Sequence, residues 1–215
     1  GGHRGGAEAS RAAVEAARSL PRGGAVDCLQ AAHCAVQAVA RESATRGAGT
    51  TLTVVAVEGI GESSFVAHVA HVGDTRLARV RDGRIEALTH SQTIPGVLLA
   101  AGQITQDEYE TRNDRHELLQ YVGQPASIVL KPETFSFLVL PEDIFLLTSD
   151  GVHEVVSDTD LRAMVLARSR SSAKRMAHTV VQASLDADTR DNATCLVLQA
   201  RRGVGPSPPH RRGSP

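Results

Sequence analysis

The sequence predicts an α+β fold in which antiparallel sheets are flanked by pairs of helices. Three observations carry this prediction. Two helix-forming segments open the chain, a run of short β-rich segments follows them, and two more helices precede a final strand. Runs of strands without strict β-α alternation favour antiparallel sheets over a parallel, doubly wound sheet. The 215 residues are enough for one large domain with a substantial core.

Two helices are predicted at the start of the chain, over residues 7–19 and about 26–42. The first segment is rich in helix-forming residues and stops before Pro21. In the second, apolar residues recur at spacings of three and four, which is typical of a helix with one buried face. This helix is expected to end before the glycines of 47–49.

Four short β-rich segments separated by turn signals come next, and we expect them to form an antiparallel meander. They are 50–57, 65–72, 76–80 and 84–88. Residues 96–123 then become helical and polar, with Gly102 and Thr105 as stop and start signals. The remaining predicted elements are strands over 134–140 and 144–148, helices over about 158–168 and 172–187, and a last strand over 193–199.

The composition is that of an ordinary globular protein, with 41% hydrophobic residues, 22% charged residues and a formal net charge of −1. These values exclude collagen, coiled coils and bulk disorder. The apolar runs are much shorter than the roughly 20 residues that a membrane-spanning helix needs, so no span is expected in this segment. Three cysteines without zinc-type spacing, and no secretory signal, favour a reduced, cytoplasmic setting.

The two ends of the chain differ from the rest. Residues 201–215 contain four arginines, four prolines and no acidic residue, so we expect a disordered tail there. Removing these arginines from the 23 basic residues leaves 19 against 24 acidic residues, so residues 1–200, predicted to form one domain, carry a net charge of −5. The chain starts with Gly1 and not with Met, which favours a fragment of a longer protein.

Two aspartates lie where buried strands are expected to meet turns. Asp150 follows the strand predicted over 144–148, and Asp191 precedes the last predicted strand. Each of them, taken alone, is an ordinary turn residue. If the two strands are neighbours, however, the two carboxylates converge and form an oxygen-only site for a hard cation such as Mg²⁺ or Mn²⁺.

Other polar positions give weaker signals. Residues 73–76 (Gly-Asp-Thr-Arg) lie between two predicted strands, and a hairpin turn is favoured over chemistry there, with Asp74 bonded to nearby backbone and Arg76 to a carboxylate. No histidine pair in the sequence has zinc-type spacing, and no serine or cysteine nucleophile motif is present. His116 stands out because it lies in a polar segment beside Arg112 and Arg115.

Eight short motifs follow one another along the chain. They are Gly1-Gly2-His3, Gly49-Thr50-Thr51, Val72-Gly73-Asp74-Thr75-Arg76, Leu88-Thr89, Gly102 with Ile104-Thr105, Gly123, Thr148-Ser149-Asp150-Gly151 and Asp191-Asn192-Ala193-Thr194. In this order they resemble the metal-dependent (PPM-type) serine/threonine protein phosphatases of type 2C, in their bacterial form. The resemblance extends from Gly1 to about Leu198.

The resemblance implies both a fold and an activity. The fold is a four-layer αββα sandwich of two antiparallel sheets flanked by helix pairs, with its N-terminal strands missing here. The activity is hydrolysis of phosphoserine and phosphothreonine in proteins by a metal-activated water at a binuclear Mg²⁺ or Mn²⁺ centre, without a phosphoenzyme. Two cations of this kind generate the nucleophile and offset the phosphoryl charge.

Site residues are carried over position by position. The resemblance implies that Asp150 and Asp191 are metal ligands, with Gly151 and Asn192 beside them, and no catalytic side chain, because the nucleophile is the water. A mobile flap beside the active site corresponds to residues 94–123. For three flap residues a solvated surface is the favoured interpretation, and contact with a phosphopeptide substrate is the alternative: Arg112, Arg115 and His116.

Two departures from the family pattern matter. The family has Asp-Gly-Met directly before Gly-Gly-His, with an Asp that bridges both metals, and earlier strands with a further acid and a phosphate-binding arginine. Because these are missing, the 215 residues alone are expected to bind metal poorly and to turn over little. Ser91 replaces an Asp that bacterial members use for a third, weaker metal, which puts that site in question.

The leading hypothesis is therefore a protein phosphatase domain whose partners are phosphorylated proteins, the substrates of a serine/threonine kinase. A pseudophosphatase that binds phosphoproteins as a regulatory module is the alternative, and acids encoded upstream of Gly1 would discriminate between the two. Nucleic acid is not an expected partner, because residues 1–200 are acidic and only 3% of the chain is aromatic. The sequence predicts no oligomeric state.

Overall fold

The computed structural model describes residues 5–20, 23–42, 44–60, 64–169 and 171–201, and within these ranges it contains seven helices and seven strands. The helices are α1 (Gly6–Arg18), α2 (Ala25–Arg41), α3 (Ile94–Ala100), α4 (Gln106–Thr111), α5 (Asp150–His153), α6 (Asp158–Ala167) and α7 (Ala173–Asp186). The strands are β1 (Leu52–Gly59), β2 (Phe65–Val72), β3 (Arg76–Arg81), β4 (Arg84–Ala87), β5 (Glu133–Val139), β6 (Ile144–Thr148) and β7 (Cys195–Gln199). The predicted α+β class is confirmed.

The strands form two antiparallel sheets, with the orders β1-β2-β5 and β4-β3-β6-β7. One core cluster joins the two sheets, since it contains Val69 of the first sheet together with Leu77 and Phe145 of the second. Side chains alternate between the two faces of a strand, so the residues next to Val69 along β2 point away from this core. The inner faces of the two sheets therefore pack against each other.

A helix pair covers the outer face of each sheet. On the first sheet, α1 and α2 pack through small and branched residues, including Ala32 and Val36 against Ala70. On the second sheet, α6 and α7 bury Val165 and Met176 in one cluster with residues of β3, β6 and β7. The four-layer αββα sandwich implied by the resemblance is thus present.

The predicted meander is wrong in one respect, because β2 and β3 lie in different sheets. Strand β2 pairs with β1 and β5, whereas β3 pairs with β4 and β6. The chain crosses between the sheets at Gly73, which has a φ of +108° and where a Cβ atom would lie 2.2 Å from Cγ2 of Thr51. Asp74 therefore lies in a crossover segment and not in a hairpin. Arg76 pairs with a carboxylate as predicted, that of Asp158, at 2.5 and 2.6 Å.

The polar segment between β4 and β5 forms two short helices, as its glycine and threonine signals predict. Helix α3 ends just before Gly102, which has a φ of +67°. Thr105 caps α4: its hydroxyl accepts from the Glu108 amide, and the Glu108 carboxylate accepts from the Thr105 amide. An isolated backbone pair between Thr50 and Val122 joins the end of this segment to the start of β1.

Two predictions concern residues outside the described ranges, namely the motif Gly1-Gly2-His3 and the tail beyond Arg201. Arg201 itself is described, and its guanidinium donates to Oε1 of Gln199 and to the carbonyl oxygen of Ser171.

Among the helices that the structure describes, none has the length and apolar character needed to cross a bilayer. The three cysteines are free thiols.

Candidate active site

The pairing of β6 with β7 brings Asp150 and Asp191 to the same edge of the second sheet, the one where β6 ends and β7 begins. Thr148, the last residue of β6, pairs with Cys195, the first residue of β7. Asp150 follows Thr148 along the chain, and Asp191 precedes Cys195. Ser149 ties the two segments together: its amide donates to the Thr194 carbonyl at 3.1 Å, and its hydroxyl accepts from the Thr194 amide at 3.0 Å.

Gly151 allows the two segments to approach closely. A Cβ atom on Gly151 would lie 2.6 Å from the carbonyl oxygen of Asn192 and 3.3 Å from that of Asp191. One carboxylate oxygen of each aspartate accepts from the next amide in the chain, that of Gly151 at 2.9 Å and that of Asn192 at 2.7 Å. Among the hydrogen bonds of the described residues, the second oxygen of each carboxylate has no partner and is available for a ligand.

Asp74 is a third acidic residue of this site, although sequence reasoning favoured a turn. Its pKa is raised to about 6 from an ordinary value of 3.8, mainly by burial and in part by the charges of Asp150 and Glu154. The crossover between the two sheets brings Asp74 to the edge where β6 ends. Sequence reasoning missed Asp74 because no local pattern in the sequence shows that β2 and β3 belong to different sheets.

Glu154 is a fourth acidic residue and was also missed. It follows Asp150 by one helical turn, and its amide donates to the Asp150 carbonyl at 3.0 Å. Burial raises the pKa of Glu154, the charges of His116 and Arg115 lower it, and those of Asp150 and Asp191 raise it. The spacing of four residues from Asp150 was a usable signal, because residues i and i+4 lie on the same face of a helix.

The three substrate-binding candidates lie in two different surroundings. His116 places Nδ1 3.1 Å from Oε1 of Glu154, and Arg115 places Nε 3.9 Å from the same oxygen. Arg112 instead donates twice to the Asp114 carboxylate, at 2.8 and 2.7 Å. The structure therefore brings His116 and Arg115 to the acidic residues, whereas the Arg112 guanidinium is held within its own loop.

Ser91 takes part in the start of α3. Its hydroxyl lies 3.1 Å from that of Thr93, the residue that caps the helix by accepting from the Gly96 amide. A Cβ atom on Gly96 would lie 2.2 Å from the Ser91 carbonyl oxygen, so the two backbones are in close contact. Ser91 thus has a local structural partner in this loop.

The acidic side chains of this site provide the kind of ligand that hard divalent cations prefer. Asp74, Asp150, Glu154 and Asp191 are all oxygen donors, and the raised pKa values of Asp74 and Glu154 reflect burial and mutual repulsion that a cation would relieve. Within the ranges that the structure describes, no three His, Cys, Asp or Glu side chains come close enough together to hold a metal ion by themselves. A cation at this edge would therefore need water or other ligands as well.

Comparison with known proteins gives sequence relatives, although no family model matches the chain. The protein phosphatase PhpP of Streptococcus pneumoniae is 29% identical over 163 residues, which cover 76% of this chain and 63% of PhpP. The chain thus spans less than two thirds of the length of this curated relative.

Solved structures give the same relationship. The serine/threonine phosphatase PstP/Ppp of Mycobacterium tuberculosis is 25% identical with a TM-score of 0.79, and the match covers 94% of this chain and 85% of that one. A structure of the PstP catalytic domain in complex with two manganese ions matches with a TM-score of 0.76 at 25% identity, covering 94% of this chain and 84% of that one. By sequence and by fold, the chain is similar to the bacterial PPM-type serine/threonine phosphatases.

Proposed function

We propose that this domain hydrolyses phosphoserine and phosphothreonine in proteins with the help of two Mg²⁺ or Mn²⁺ ions. The observation that carries the proposal is the pairing of β6 with β7, which brings Asp150 and Asp191 to one sheet edge and packs Gly151 against Asn192. The homology to PhpP and PstP supports it, as do the two manganese ions bound by the PstP catalytic domain.

In this proposal the chain's own residues have three tasks. Asp150 and Asp191, with Asp74 and Glu154, bind the cations, and the backbone contact between Gly151 and Asn192 fixes the spacing of the first two. A bound divalent cation would supply charge for the phosphoryl group and would acidify a water that attacks phosphorus. No side chain forms a covalent intermediate.

We assign the substrate phosphate to the side of the site that faces His116 and Arg115. Both lie next to Glu154, and both can donate to phosphate oxygens, which suits them to a dianionic substrate. Arg112 is expected to contribute less, because binding phosphate would require it to release Asp114.

Two divalent ions bring about four positive charges, and the described residues contain no compact three-ligand cluster. We therefore propose that residues 1–215 bind Mn²⁺ weakly on their own and that their activity is low. This follows from the number of ligands at one point, because the four carboxylates would balance the charge of two ions but no three of them converge on one ion. Metal affinity rises when more ligands hold the ion, because each added carboxylate offsets the cost of removing the ion from water.

The test is Mn²⁺-dependent hydrolysis of a phosphothreonine peptide by Asp150→Asn and Asp191→Asn. We expect a loss of at least about a hundredfold in kcat/KM with the fold retained, as for ligands that bind the ion directly. Asp82→Asn is the matched control, since Asp82 is exposed at the far end of β3 and has a φ of 49°, which Asn tolerates. Variants as active as the parent would remove both assignments.

A pseudophosphatase that binds phosphoproteins is the second candidate. The observation in its favour is the lack of a three-ligand cluster in the described part of the chain. Equilibrium binding separates the two functions. A binding module would bind the phosphothreonine peptide without Mn²⁺ and leave it intact when Mn²⁺ is added, whereas the phosphatase releases inorganic phosphate only with Mn²⁺.

The partners that this function requires are phosphorylated proteins, made by a serine/threonine kinase. We propose a cytoplasmic setting, which the three free thiols support because disulfides are rare in that compartment.

A further inference from the structure

A series of partly buried hydrogen bonds links the first sheet to the segment that carries Asp74. Its centre is His71 of β2, which is 0% exposed. Thr53 of β1 places its hydroxyl oxygen 2.9 Å from Nδ1 of His71 and 2.7 Å from the hydroxyl oxygen of Thr75. The other ring nitrogen of His71, Nε2, lies 3.1 Å from the carbonyl oxygen of His90. Three separate parts of the polypeptide therefore meet at the imidazole ring, and Thr53 extends the contact to a fourth, at Thr75.

The direction of each hydrogen bond follows from the chemistry of its partners. A carbonyl oxygen only accepts, so Nε2 of His71 carries a hydrogen and donates to His90. Burial lowers the pKa of His71, so the ring is neutral and its Nδ1 accepts from the hydroxyl of Thr53. The hydroxyl of Thr53 then accepts from that of Thr75. Every polar group in this series of hydrogen bonds is paired, and the Thr53 hydroxyl both donates to His71 and accepts from Thr75.

Further contacts hold both neighbours of Asp74. The Gly73 amide donates to Oε1 of Gln92 at 3.0 Å, and the Gly73 carbonyl accepts from the Gln92 amide at 2.8 Å. On the other side, the hydroxyl of Thr89 donates to the Thr75 carbonyl at 3.4 Å. The backbone on either side of Asp74 is thus fixed, two residues before Arg76, which pairs with Thr148 at the end of β6 next to Asp150.

We propose that His71 is a positioning residue of the cation site, which holds Thr75 through Thr53 and so keeps the Asp74 carboxyl next to Asp150. The inference rests on the proposed function, because it assigns these residues a part in cation binding. His71 touches neither cation nor substrate and acts only through the crossover segment. A buried histidine that served packing alone would not need to accept from one strand and donate to a loop of the other sheet.

The test compares two substitutions at Thr53. Thr53→Val removes the hydroxyl at nearly constant volume and breaks the link between His71 and Thr75, whereas Thr53→Ser keeps the hydroxyl. In calorimetric titration of the 215-residue chain with Mn²⁺, we expect Thr53→Val to weaken binding by about tenfold or more and Thr53→Ser to bind within about twofold of the parent. Amide hydrogen exchange at residues 73–75, measured without metal, should accelerate in Thr53→Val only.

Two additional variants control for stability. Val165→Ala opens a cavity in the core between the second sheet and its helices, so it should lower the unfolding temperature and leave Mn²⁺ affinity unchanged. If Thr53→Val does not fold, Thr75→Val breaks the hydrogen bond between Thr75 and Thr53 at a half-buried position. We expect the same effects on Mn²⁺ affinity and on hydrogen exchange.

The outcomes distinguish the inference from the proposed function. Parental Mn²⁺ affinity and parental exchange rates in Thr53→Val overturn the role of His71, as does an equal loss of affinity in Val165→Ala. Absence of Mn²⁺ binding by the parent chain overturns the proposed function and the cation role of His71 together. The exchange rates at 73–75 then still decide whether His71 fixes this segment.

Discussion

Gly151 packs against the backbone of Asn192 so closely that a Cβ atom on Gly151 would lie 2.6 Å from the Asn192 carbonyl oxygen. This contact joins the segment that carries Asp150 to the segment that carries Asp191. Gly151→Ala is therefore expected to push the two apart, to lower Mn²⁺ affinity by about tenfold or more and to cost about 1–3 kcal/mol of stability. Calorimetric Mn²⁺ titration and thermal unfolding measure the two effects.

The matched control is Gly6→Ala. Gly6 begins α1, and a Cβ atom there has no other atom within 4 Å. Its Mn²⁺ affinity should equal that of the parent. A Gly151→Ala protein that also binds Mn²⁺ like the parent would show that this backbone contact does not set the spacing of the aspartates.

Asp74→Asn should change stability in a direction that depends on pH and on metal. The pKa of Asp74 is raised to about 6 from 3.8, so the folded state binds its proton more tightly than the unfolded state. The stability that this group contributes is therefore lost as pH rises from about 4 to 6. At pH 8 without divalent ions, we expect the neutral variant to be more stable than the parent by on the order of 1 to 3 kcal/mol.

Saturating Mn²⁺ should reverse this order, because the ion stabilises only the parent carboxylate. Chemical denaturation at pH 4 and pH 8, with and without Mn²⁺, checks all four conditions, and the two proteins should differ least at pH 4. An Asp74→Asn protein that is less stable than the parent at pH 8 without metal would contradict the assigned cost of burying the Asp74 charge near other acids.

Arg115→Gln and His116→Gln are expected to raise KM for a phosphothreonine peptide by about tenfold, the cost of one charged hydrogen bond to phosphate, with a smaller change in kcat. Arg112→Gln is the control within the same segment, and its KM should stay close to that of the parent because Arg112 is paired with Asp114. Steady-state release of phosphate measures these values. Equal effects of all three substitutions would mean that general loss of positive charge, and not position, matters.

Asp143 is a structural acid that should affect stability alone. Its side chain is 1% exposed and accepts from Arg81 at 2.7 and 2.6 Å and from the Leu140 amide at 2.8 Å. Asp143→Ala would leave the Arg81 charge without its buried partner, and we expect a loss of about 3–5 kcal/mol of unfolding free energy.

A pair with an exposed acid gives the comparison for Asp143. The Glu86 side chain, which pairs with Arg79, is 59% exposed, so Glu86→Ala should cost less than about 1 kcal/mol. Neither change should alter Mn²⁺ affinity, because both acids lie away from the sheet edge that carries Asp150. Denaturant unfolding gives the energies, and a loss of metal binding in folded Asp143→Ala would refute the purely structural role.

The elements of the fold were predictable because each has a local cause. Apolar spacing identified α2, and Thr105 identified the start of α4 through a capping box that the structure contains. The division of the strands into two sheets was not predictable from such signals. Strands β2 and β3 are separated by only three residues, and a hairpin and a crossover place the same turn-forming residues between two strands.

The candidate site shows the same limit. Asp150 and Asp191 could be named because each adjoins an apolar strand, and the structure makes those strands neighbours; their role as metal ligands remains a prediction. Asp74 was missed because its place in the site depends on the sheet crossover, whereas Glu154 had a local signal in its spacing of four residues from Asp150. Long-range topology thus decides whether Asp74 and Asp191 lie near Asp150, and no single stretch of sequence encodes it.

The crossover at Gly73 has a mechanical consequence. Asp74 is anchored through Thr75 and Thr53 to the first sheet, whereas Asp150 and Asp191 extend from the second. The boundary between the two sheets therefore runs between Asp74 on one side and Asp150 and Asp191 on the other. If one sheet slides over the other, the distances between these carboxylates change before either sheet unfolds. Such sliding would follow from a partner that binds the outer helices or from loosened packing between the two sheets.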